Sequence, residues 1–312
     1  MKNLSPIVLF TYNRPNHTLK VLENLAKNDF AKQSDLFIFS DGAKTNQNSE
    51  LALIEEVRRI IRKKKWCKNV TLIERTENLG LAKSITTGIS EIIKLKGKVI
   101  VLEDDILTSK GFLKFMNEGL ELYKNDEKVM HISGYMLPLP TKLPDTLFLR
   151  VPLSWGWATW DRAWNQYRSN APELFSELKR MNKLKKFNIT KYGDFTKQLE
   201  KNIGYTLETW AVKWYATIFL SEGLCLHPKI SLIQNIGFDN SGTNCDESQI
   251  FLNPINKIEY IELNPIDIKE FPNIEIYISM FYKKNKKKWN WITKNIKLVL
   301  FKIYTLFHLY HN

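Results

Sequence analysis

The sequence is poor in cysteine and lacks the short motifs of several common catalytic classes. It has three cysteines, Cys67, Cys225 and Cys245, and no CxxC pair. An odd cysteine count without metal-binding spacing indicates reduced thiols in a cytoplasmic protein. There is also no GxGxxG after the first apolar run, no GxxxxGK[ST], no HExxH and no GxSxG. A dinucleotide site or a P-loop is therefore disfavoured, and the zinc-protease and hydrolase motifs are absent.

Long apolar runs are also missing. The run PIVLF near the N-terminus has about five residues, below the roughly 7–15 of a signal-peptide core, so export is not expected. In the C-terminal tail Lys302 interrupts the best run, which stays below the ~18 apolar residues of a membrane span.

Acidic residues are absent from the C-terminal tail, which carries most of the net charge. Between Phe281 and Asn312 there are eight lysines and no Asp or Glu, while the whole chain has a net charge of +13. The tail also has an amphipathic apolar stripe, formed by Trp289, Ile292, Ile296, Ile303 and Phe307. We expect residues 283–310 to bind an anionic membrane surface, at the inner face of the plasma membrane, rather than nucleic acid. The alternative is a C-terminal helix packed on the body, with its lysines in water.

Apolar strand-like runs alternate with amphipathic helical segments over the first 135 residues. The runs are PIVLFTY, DLFIFSDG, NVTLIE, KVIVLEDD and KVMHISG. This alternation predicts an α/β fold with a mainly parallel sheet covered by helices on both faces. Ligands bind such sheets at the edge where the parallel strands end. The second half is rich in Trp, and residues 172–220 are predicted to be helical.

Charged side chains follow three of the predicted strands. Arg14 follows the first strand and Asp41 the second, while Glu103, Asp104 and Asp105 end the fourth. Side chains alternate along a strand, so Glu103 and Asp105 are expected to face one way and Asp104 the other. Hard carboxylate oxygens suit Mn²⁺ or Mg²⁺, which also bind phosphates. The alternatives are a solvated strand end, a turn residue at Asp41, and an exposed Arg14 ahead of a helix.

Glu208 is a candidate general base. It precedes Trp210 in the aromatic segment TLETWAVKWYATIF, where partial burial would raise its pKa. The alternative is an acid in the first turn of a helix capped by Thr206.

The order VLFTYNRPNHT, FSDG, ENLGLAKSI and VLEDDI resembles the GT-A glycosyltransferases. The resemblance is to the inverting N-acetylglucosaminyltransferase I type and to bacterial family 2-like sugar transferases of surface polysaccharide synthesis. It extends to SWGWATWDRAW, LETW and HPKISLIQNIGFDNSGTN on the acceptor side, and it covers roughly residues 5–250.

The resemblance assigns a role to each candidate residue. Arg14 and Asp41 match positions around the nucleotide base, and Asp104 matches a ribose or donor contact. Asp105 matches the metal ligand, supported by Glu103. Glu208 matches the general base, at a position where the family has Asp.

The resemblance also implies a function. It implies an inverting, Mn²⁺- or Mg²⁺-dependent transferase that moves a sugar from a nucleotide sugar to a saccharide or lipid-linked saccharide acceptor. The rival hypotheses are a sugar-phosphate nucleotidylyltransferase and a non-enzymatic basic binding protein. We expect one GT-A domain at 1–250, with a nucleotide-sugar-binding half at 1–135 and an acceptor half at 136–250. The C-terminal extension is 251–312.

Overall fold

The α/β architecture predicted from the sequence is confirmed. A computed structural model describes residues 3–44, 48–204, 207–239 and 260–285. They form an eight-stranded sheet in the order β3-β2-β1-β4-β8-β6-β9-β7. All but β8 and β7 run in one direction, so the sheet is mixed but mainly parallel. A second, antiparallel pair joins β5 to β10.

The strands are short and the central ones are fully buried. They are β1 Ile7–Thr11, β2 Asp35–Ser40, β3 Asn69–Glu74, β4 Lys98–Glu103, β5 Ile106–Thr108, β6 Val129–Ser133, β7 Thr146–Leu149, β8 Trp157–Trp160, β9 Leu224–Pro228 and β10 Ile233–Asn235.

The helices lie on both faces of the sheet. They are α1 Pro15–Leu25, α2 Asn48–Arg62, α3 Leu81–Lys96, α4 Phe112–Leu122, α5 Asp161–Trp164, α6 Ala171–Arg180, α7 Leu184–Phe187, α8 Phe195–Ile203, α9 Ala211–Leu220 and α10 at 274–285.

Two apolar layers hold these helices on the sheet. One layer joins the inner sides of α1, α2 and α4 to one sheet face, and the other joins α3, α5 and α9 to the opposite face. A third cluster packs α6, α7 and α8 against α9. Because apolar side chains point from both sheet faces, the strands read as continuous apolar runs in the sequence.

The Trp-rich segment belongs mainly to the core. Trp157, Trp160 and Trp164 are buried, and Trp157 stacks on Trp210 at 5.2 Å between ring centroids. β8 lies between β4 and β6 and runs antiparallel to both. Trp157 is therefore a core residue and is not available to stack on a ligand. Trp155 is only half-buried.

The C-terminal part of the described chain packs on the edge strand β7. Arg150 donates two hydrogen bonds to Glu270, at 2.8 and 2.6 Å, and Ile274 and Ile278 of α10 are buried. No helix in these described ranges is long and apolar enough to cross a membrane. Most of the tail, residues 286–312, lies outside the described residues, as does Cys245.

His227 is fully buried in β9 and its ring contacts main-chain oxygen atoms. Nε2 lies 2.9 Å from the carbonyl oxygen of Val151, and Nδ1 lies 3.3 Å from that of Tyr135. Burial lowers the pKa of His227 to about 4, although the two carbonyl groups oppose this shift. The buried ring is therefore neutral at pH 7, a structural role rather than a metal site.

Because His227 is buried in its neutral form, we expect the free energy of unfolding to fall in acid. An unfolded histidine has a pKa near 6.5, so the unfolded state binds more protons than the folded state between about pH 6.5 and 4. The stabilising contribution is complete above pH 6.5 and falls by about 3 kcal/mol as the pH drops to 4. Urea unfolding at pH 7.0 and 4.5 should show a pH effect about 2–3 kcal/mol smaller in His227→Gln than in the wild type. Identical pH effects in the two proteins would contradict this assignment.

Candidate active site at the ends of β1 and β4

The acidic residues after β4 are held by an arginine from the end of β1. The Arg14 Nη2 group donates a hydrogen bond to Asp104 Oδ1 and another, 3.0 Å long, to Asp105 Oδ2. The three side chains are mostly buried, with 18%, 6% and 13% of their surfaces exposed. The cation that makes clustered carboxylates tolerable is therefore part of the chain itself.

The expected alternation of the acidic side chains is wrong. β4 ends at Glu103, and Asp104 and Asp105 form a turn before β5 begins at Ile106. Alternation holds only within an extended strand, so the turn allows both aspartates to reach the same Arg14 nitrogen. The short pair β5–β10 fixes the far side of this turn.

Burial and mutual repulsion change the protonation of the cluster. Burial first, and then the charges of Asp105 and Asp104, raise the pKa of Glu103 to about 8, while Arg14 opposes the shift. Burial also raises the pKa of Asp104, against the effect of Arg14. For Arg14 itself, burial lowers the pKa, but the two aspartates outweigh burial and raise it. A guanidinium held in this way stays charged at every relevant pH.

Asp41 anchors the loop that leads into α3. Its carboxylate accepts hydrogen bonds from the backbone N–H groups of Leu79, at 3.1 Å, and Gly80, at 3.2 Å. Arg75 Nη1 lies 3.9 Å from the same carboxylate. Asp41 is itself buried, with 5% of its surface exposed. Its expected contact near the nucleotide base stays a prediction.

A polar group that includes Glu50, which was not predicted from the sequence, lies beside Arg14. Tyr12 and Asn13 follow β1 directly, and both donate hydrogen bonds to the carboxylate of Glu50, the Asn13 bond being 3.2 Å long. Burial and Glu50 raise the pKa of the Tyr12 hydroxyl, so it remains protonated. Tyr12 precedes Arg14 by two residues, so the sequence alone brings these two together. The residues around Glu50, in the first turn of α2, give no indication of its contact with Tyr12.

The segment at 236–239, called here the 236–239 loop, lies directly against Asp105. The Ile236 N–H donates a 2.8 Å hydrogen bond to the Asp105 carbonyl oxygen, and the Gly237 N–H donates one of 2.7 Å to Asn235 Oδ1. A Cβ atom on Gly237 would lie 2.4 Å from Asp105 Oδ2. Only glycine therefore fits against this carboxylate.

Gly237→Ala is accordingly expected to move either Asp105 or the loop. Arg14 binds the same Asp105 oxygen, so the carboxylate cannot move away freely. Overpacking of this kind lowers the free energy of unfolding by roughly 1–3 kcal/mol. Urea unfolding should show that loss, whereas Gly204→Ala should change stability by less than about 0.5 kcal/mol. A Cβ on Gly204 meets no atom of the residues that the structure describes within 4 Å. Equal stabilities for the two variants would mean that Asp105 is not confined as described.

An aromatic group from the second half of the chain lies beyond the loop. Phe238 makes an edge contact with Trp155, at 5.5 Å between ring centroids, and Trp155 makes a similar contact with Tyr135 at 4.6 Å. Aromatic faces of this type suit the apolar face of a sugar ring. Through the 236–239 loop, these aromatic side chains of the second half lie close to the acidic cluster.

Glu208 is exposed and precedes α9, whose first residue is Ala211. The expectation that aromatic neighbours bury its carboxylate is wrong, because Trp210 turns into the core and stacks on Trp157. Its predicted helical setting is also wrong, and Thr206 lies outside the described residues. The charge of Glu208 adds to burial in raising the pKa of Tyr167, and it partly offsets the lowering of the Lys213 pKa by burial.

The topology places Glu208 at the same sheet edge as the acidic cluster. α9 packs on the sheet and leads into β9, which runs in the same direction as β4. A helix that comes directly before a parallel strand runs antiparallel to that strand, so α9 starts at the edge where β9 and the other parallel strands end. Trp157, the partner of Trp210, pairs with Val101 near the end of β4.

The residues present fit a divalent cation held through one carboxylate. Asp105 Oδ2 is bound to Arg14, whereas Asp105 Oδ1 has no hydrogen bond to any of the residues that the structure describes. Those residues contain no group of three or more His, Cys, Asp or Glu side chains arranged as a complete metal site. Mg²⁺ and related cations often use one or two carboxylates and complete their coordination with phosphates and water.

Known proteins resemble this chain in structure but not in sequence. No protein-family model and no curated protein matches it. The mannosyltransferase PcManGT from Pyrobaculum calidifontis, solved with GDP-Man and Mn²⁺, has a TM-score of 0.35 and 14% identity. That match covers 57% of this chain and 47% of the other, so the chain corresponds to about half of that enzyme.

Two further solved structures are similar over more of their length. UDP-glucose pyrophosphorylase complexed with UDP-glucose has a TM-score of 0.37 and 12% identity, covering 72% of this chain and 90% of the other. Mouse xyloside xylosyltransferase 1, in its apo form, has a TM-score of 0.36 and 10% identity, covering 70% and 82%. At this level of similarity the function has to be inferred from the site residues of this chain.

Proposed function

We propose that this chain is an inverting, metal-dependent glycosyltransferase. It would transfer a sugar from a nucleotide sugar, a UDP-sugar in this proposal, to a hydroxyl group of a saccharide acceptor in bacterial cell-surface polysaccharide synthesis. The observation that supports this proposal most is the acidic turn after β4, held by Arg14 at the end of β1. The residues 1–135 then form the donor half and 136–250 the acceptor half.

Contacts within the chain hold the residues of the proposed donor end. Asp105 would hold the Mn²⁺ or Mg²⁺ ion through Oδ1, with Asp104 directed to the ribose and Glu103 behind them. When bound, the metal neutralises charge on the departing nucleoside diphosphate. Arg14 fixes both aspartates, and Asp41 fixes the loop before α3 at the neighbouring strand end.

The acceptor end supplies the base and the sugar contact. Glu208 would remove the proton from the acceptor hydroxyl, whose oxygen attacks the anomeric carbon from the face opposite the diphosphate. The bond between the anomeric carbon and the diphosphate oxygen breaks, and its electron pair leaves with the diphosphate. Glu208 is exposed, so its proposed role depends on its position rather than on burial. Trp155 would stack on a sugar ring.

A panel of nucleotide sugars tests this proposal. The full chain is heated with UDP-glucose, UDP-galactose, UDP-N-acetylglucosamine or GDP-mannose, each with Mn²⁺ or with EDTA. We expect at least one to raise the melting temperature and to release nucleoside diphosphate slowly with Mn²⁺ only. Pyrophosphate release from a nucleoside triphosphate and a sugar 1-phosphate would instead identify a nucleotidylyltransferase. No stabilisation by any nucleotide sugar would contradict the proposal.

We also propose that residues 283–310 bind an anionic membrane surface. On α10 the exposed apolar side chains of Ile276 and Met280 are followed by the exposed Lys283 and Lys284, where the basic tail begins. Sedimentation with vesicles should show binding to anionic but not to neutral lipid, weakened by salt and by charge reversal of Lys283 and Lys284. Binding to neither lipid would favour a tail packed on the protein, and equal binding to both would contradict a preference for anionic lipid.

A further inference from the structure

We infer that His17 is a positioning residue that holds the 236–239 loop against Asp105. The inference rests on the proposed function for the role of Asp105, but the contacts themselves belong to the fold. His17 lies in the first turn of α1, three residues after Arg14, with 13% of its side chain exposed.

The His17 ring contacts two oxygen atoms of the loop. Nε2 lies 3.3 Å from the Ile236 carbonyl oxygen and 3.1 Å from Asp239 Oδ2. Both partners are acceptors, so Nε2 carries the hydrogen atom and donates it. The contact joins residues 219 positions apart in the chain. It therefore ties the start of the donor half to the end of the acceptor half.

The loop and Arg14 hold Asp105 from two sides. Arg14 donates to Asp105 Oδ2, while the Ile236 N–H donates to the Asp105 carbonyl oxygen and Gly237 packs on the carboxylate. The start of α1 thus holds Asp105 directly through Arg14 and indirectly through His17. A hydrogen bond from Thr18 Oγ1 to the Arg14 carbonyl oxygen, 2.9 Å long, keeps this first turn in place.

The same loop contacts the aromatic group of the second half. Phe238, between the two residues that His17 contacts, touches Trp155. A shift of the loop would therefore move Asp105 and Trp155 together, because the loop contacts both. His17 acts through these neighbours and, in this account, touches neither the donor nor the acceptor.

Amide hydrogen exchange on the full chain tests the inference. In His17→Ala, exchange of the Ile236 and Gly237 amides should rise about fivefold, as expected for the loss of one side-chain hydrogen bond. His17→Gln keeps an N–H donor at a similar reach and should exchange at nearly the wild-type rate. Lys20→Ala, an exposed position on the same helix, is the matched control and should change nothing. Amides of β1 and β4 should be unaffected in all variants.

Titration with Mn²⁺ and either UDP or GDP provides the second readout. His17→Ala should bind the responsive nucleotide about fivefold more weakly, while His17→Gln and Lys20→Ala bind it like the wild type. The inference is overturned if loop exchange is unchanged in His17→Ala, if His17→Gln fails to restore it, or if looser exchange leaves nucleotide affinity unchanged. If the wild type binds neither nucleotide with Mn²⁺, the proposed function fails, and loop exchange alone still decides the role of His17.

Discussion

Replacing Glu208 with glutamine is expected to lower the rate of sugar transfer by about 10²–10⁴-fold, the usual contribution of a general base. The amide cannot accept the proton of the acceptor hydroxyl, although its size and its exposed position before α9 are unchanged. Because Glu208 makes no hydrogen bond or ion pair with Arg14 or Asp105 in the described part of the chain, binding of nucleoside diphosphate with Mn²⁺ should stay within about twofold of the wild type. Initial transfer rates and nucleotide titration measure the two effects separately.

Glu200→Gln is the matched control for this substitution. Glu200 is another exposed glutamate of the second half, on α8, and its replacement should leave both rate and affinity unchanged. Transfer at the wild-type rate in Glu208→Gln would show that another group removes the proton. Loss of nucleotide binding in Glu208→Gln would show that this side chain belongs to the donor end instead.

Replacing Asp105 with asparagine is expected to weaken Mn²⁺-dependent nucleotide binding by about 100-fold and to abolish measurable transfer. The substitution removes the negative charge that would hold the cation, and it leaves Arg14 paired with Asp104. The side-chain volume is almost unchanged, so Gly237 still fits against it. Calorimetric titration of nucleoside diphosphate with and without Mn²⁺ measures the effect.

Asp267→Asn provides the corresponding control for lost surface charge. The Asp267 side chain is 80% exposed and pairs with Lys269, far along the sequence from the β4 turn. It should bind nucleotide like the wild type. Asp105→Asn with the wild-type affinity, or with an affinity that still depends on Mn²⁺, would contradict the role given to Asp105.

The succession of strands and helices along the first half of the chain could be predicted from the sequence, because mainly apolar runs at β1, β2, β3 and β4 are separated by amphipathic helices. The same reading placed Arg14 and Asp105 at one sheet edge, and the structure brings them to 3.0 Å. Parallel strands with helical crossovers allow this inference, since their ends meet on one side. The metal and donor roles remain predictions.

The position of β8, the turn after β4 and the His17 contact depend on long-range contacts, which cannot be predicted from neighbouring residues in the sequence. β8 enters the sheet between β4 and β6 through a chain reversal, which buries Trp157 and leaves Trp155 at the surface. β4 ends at Glu103, two residues before the end of LEDD, and the turn that follows lets Asp104 reach Arg14. His17 meets the 236–239 loop across 219 residues, so only the tertiary structure identifies that contact.

Binding of Mn²⁺ to the full chain, followed by electron paramagnetic resonance, tests the central claim most directly. The spectrum of free Mn²⁺ is recorded during titration of the protein, first alone and then with UDP or GDP. We expect weak binding to the protein alone and tight, one-to-one binding when a nucleoside diphosphate is also present, because such cations bind through one or two carboxylates together with phosphates. Mn²⁺ that stays free in the presence of protein and either nucleotide would contradict a metal–nucleotide site at the end of β4.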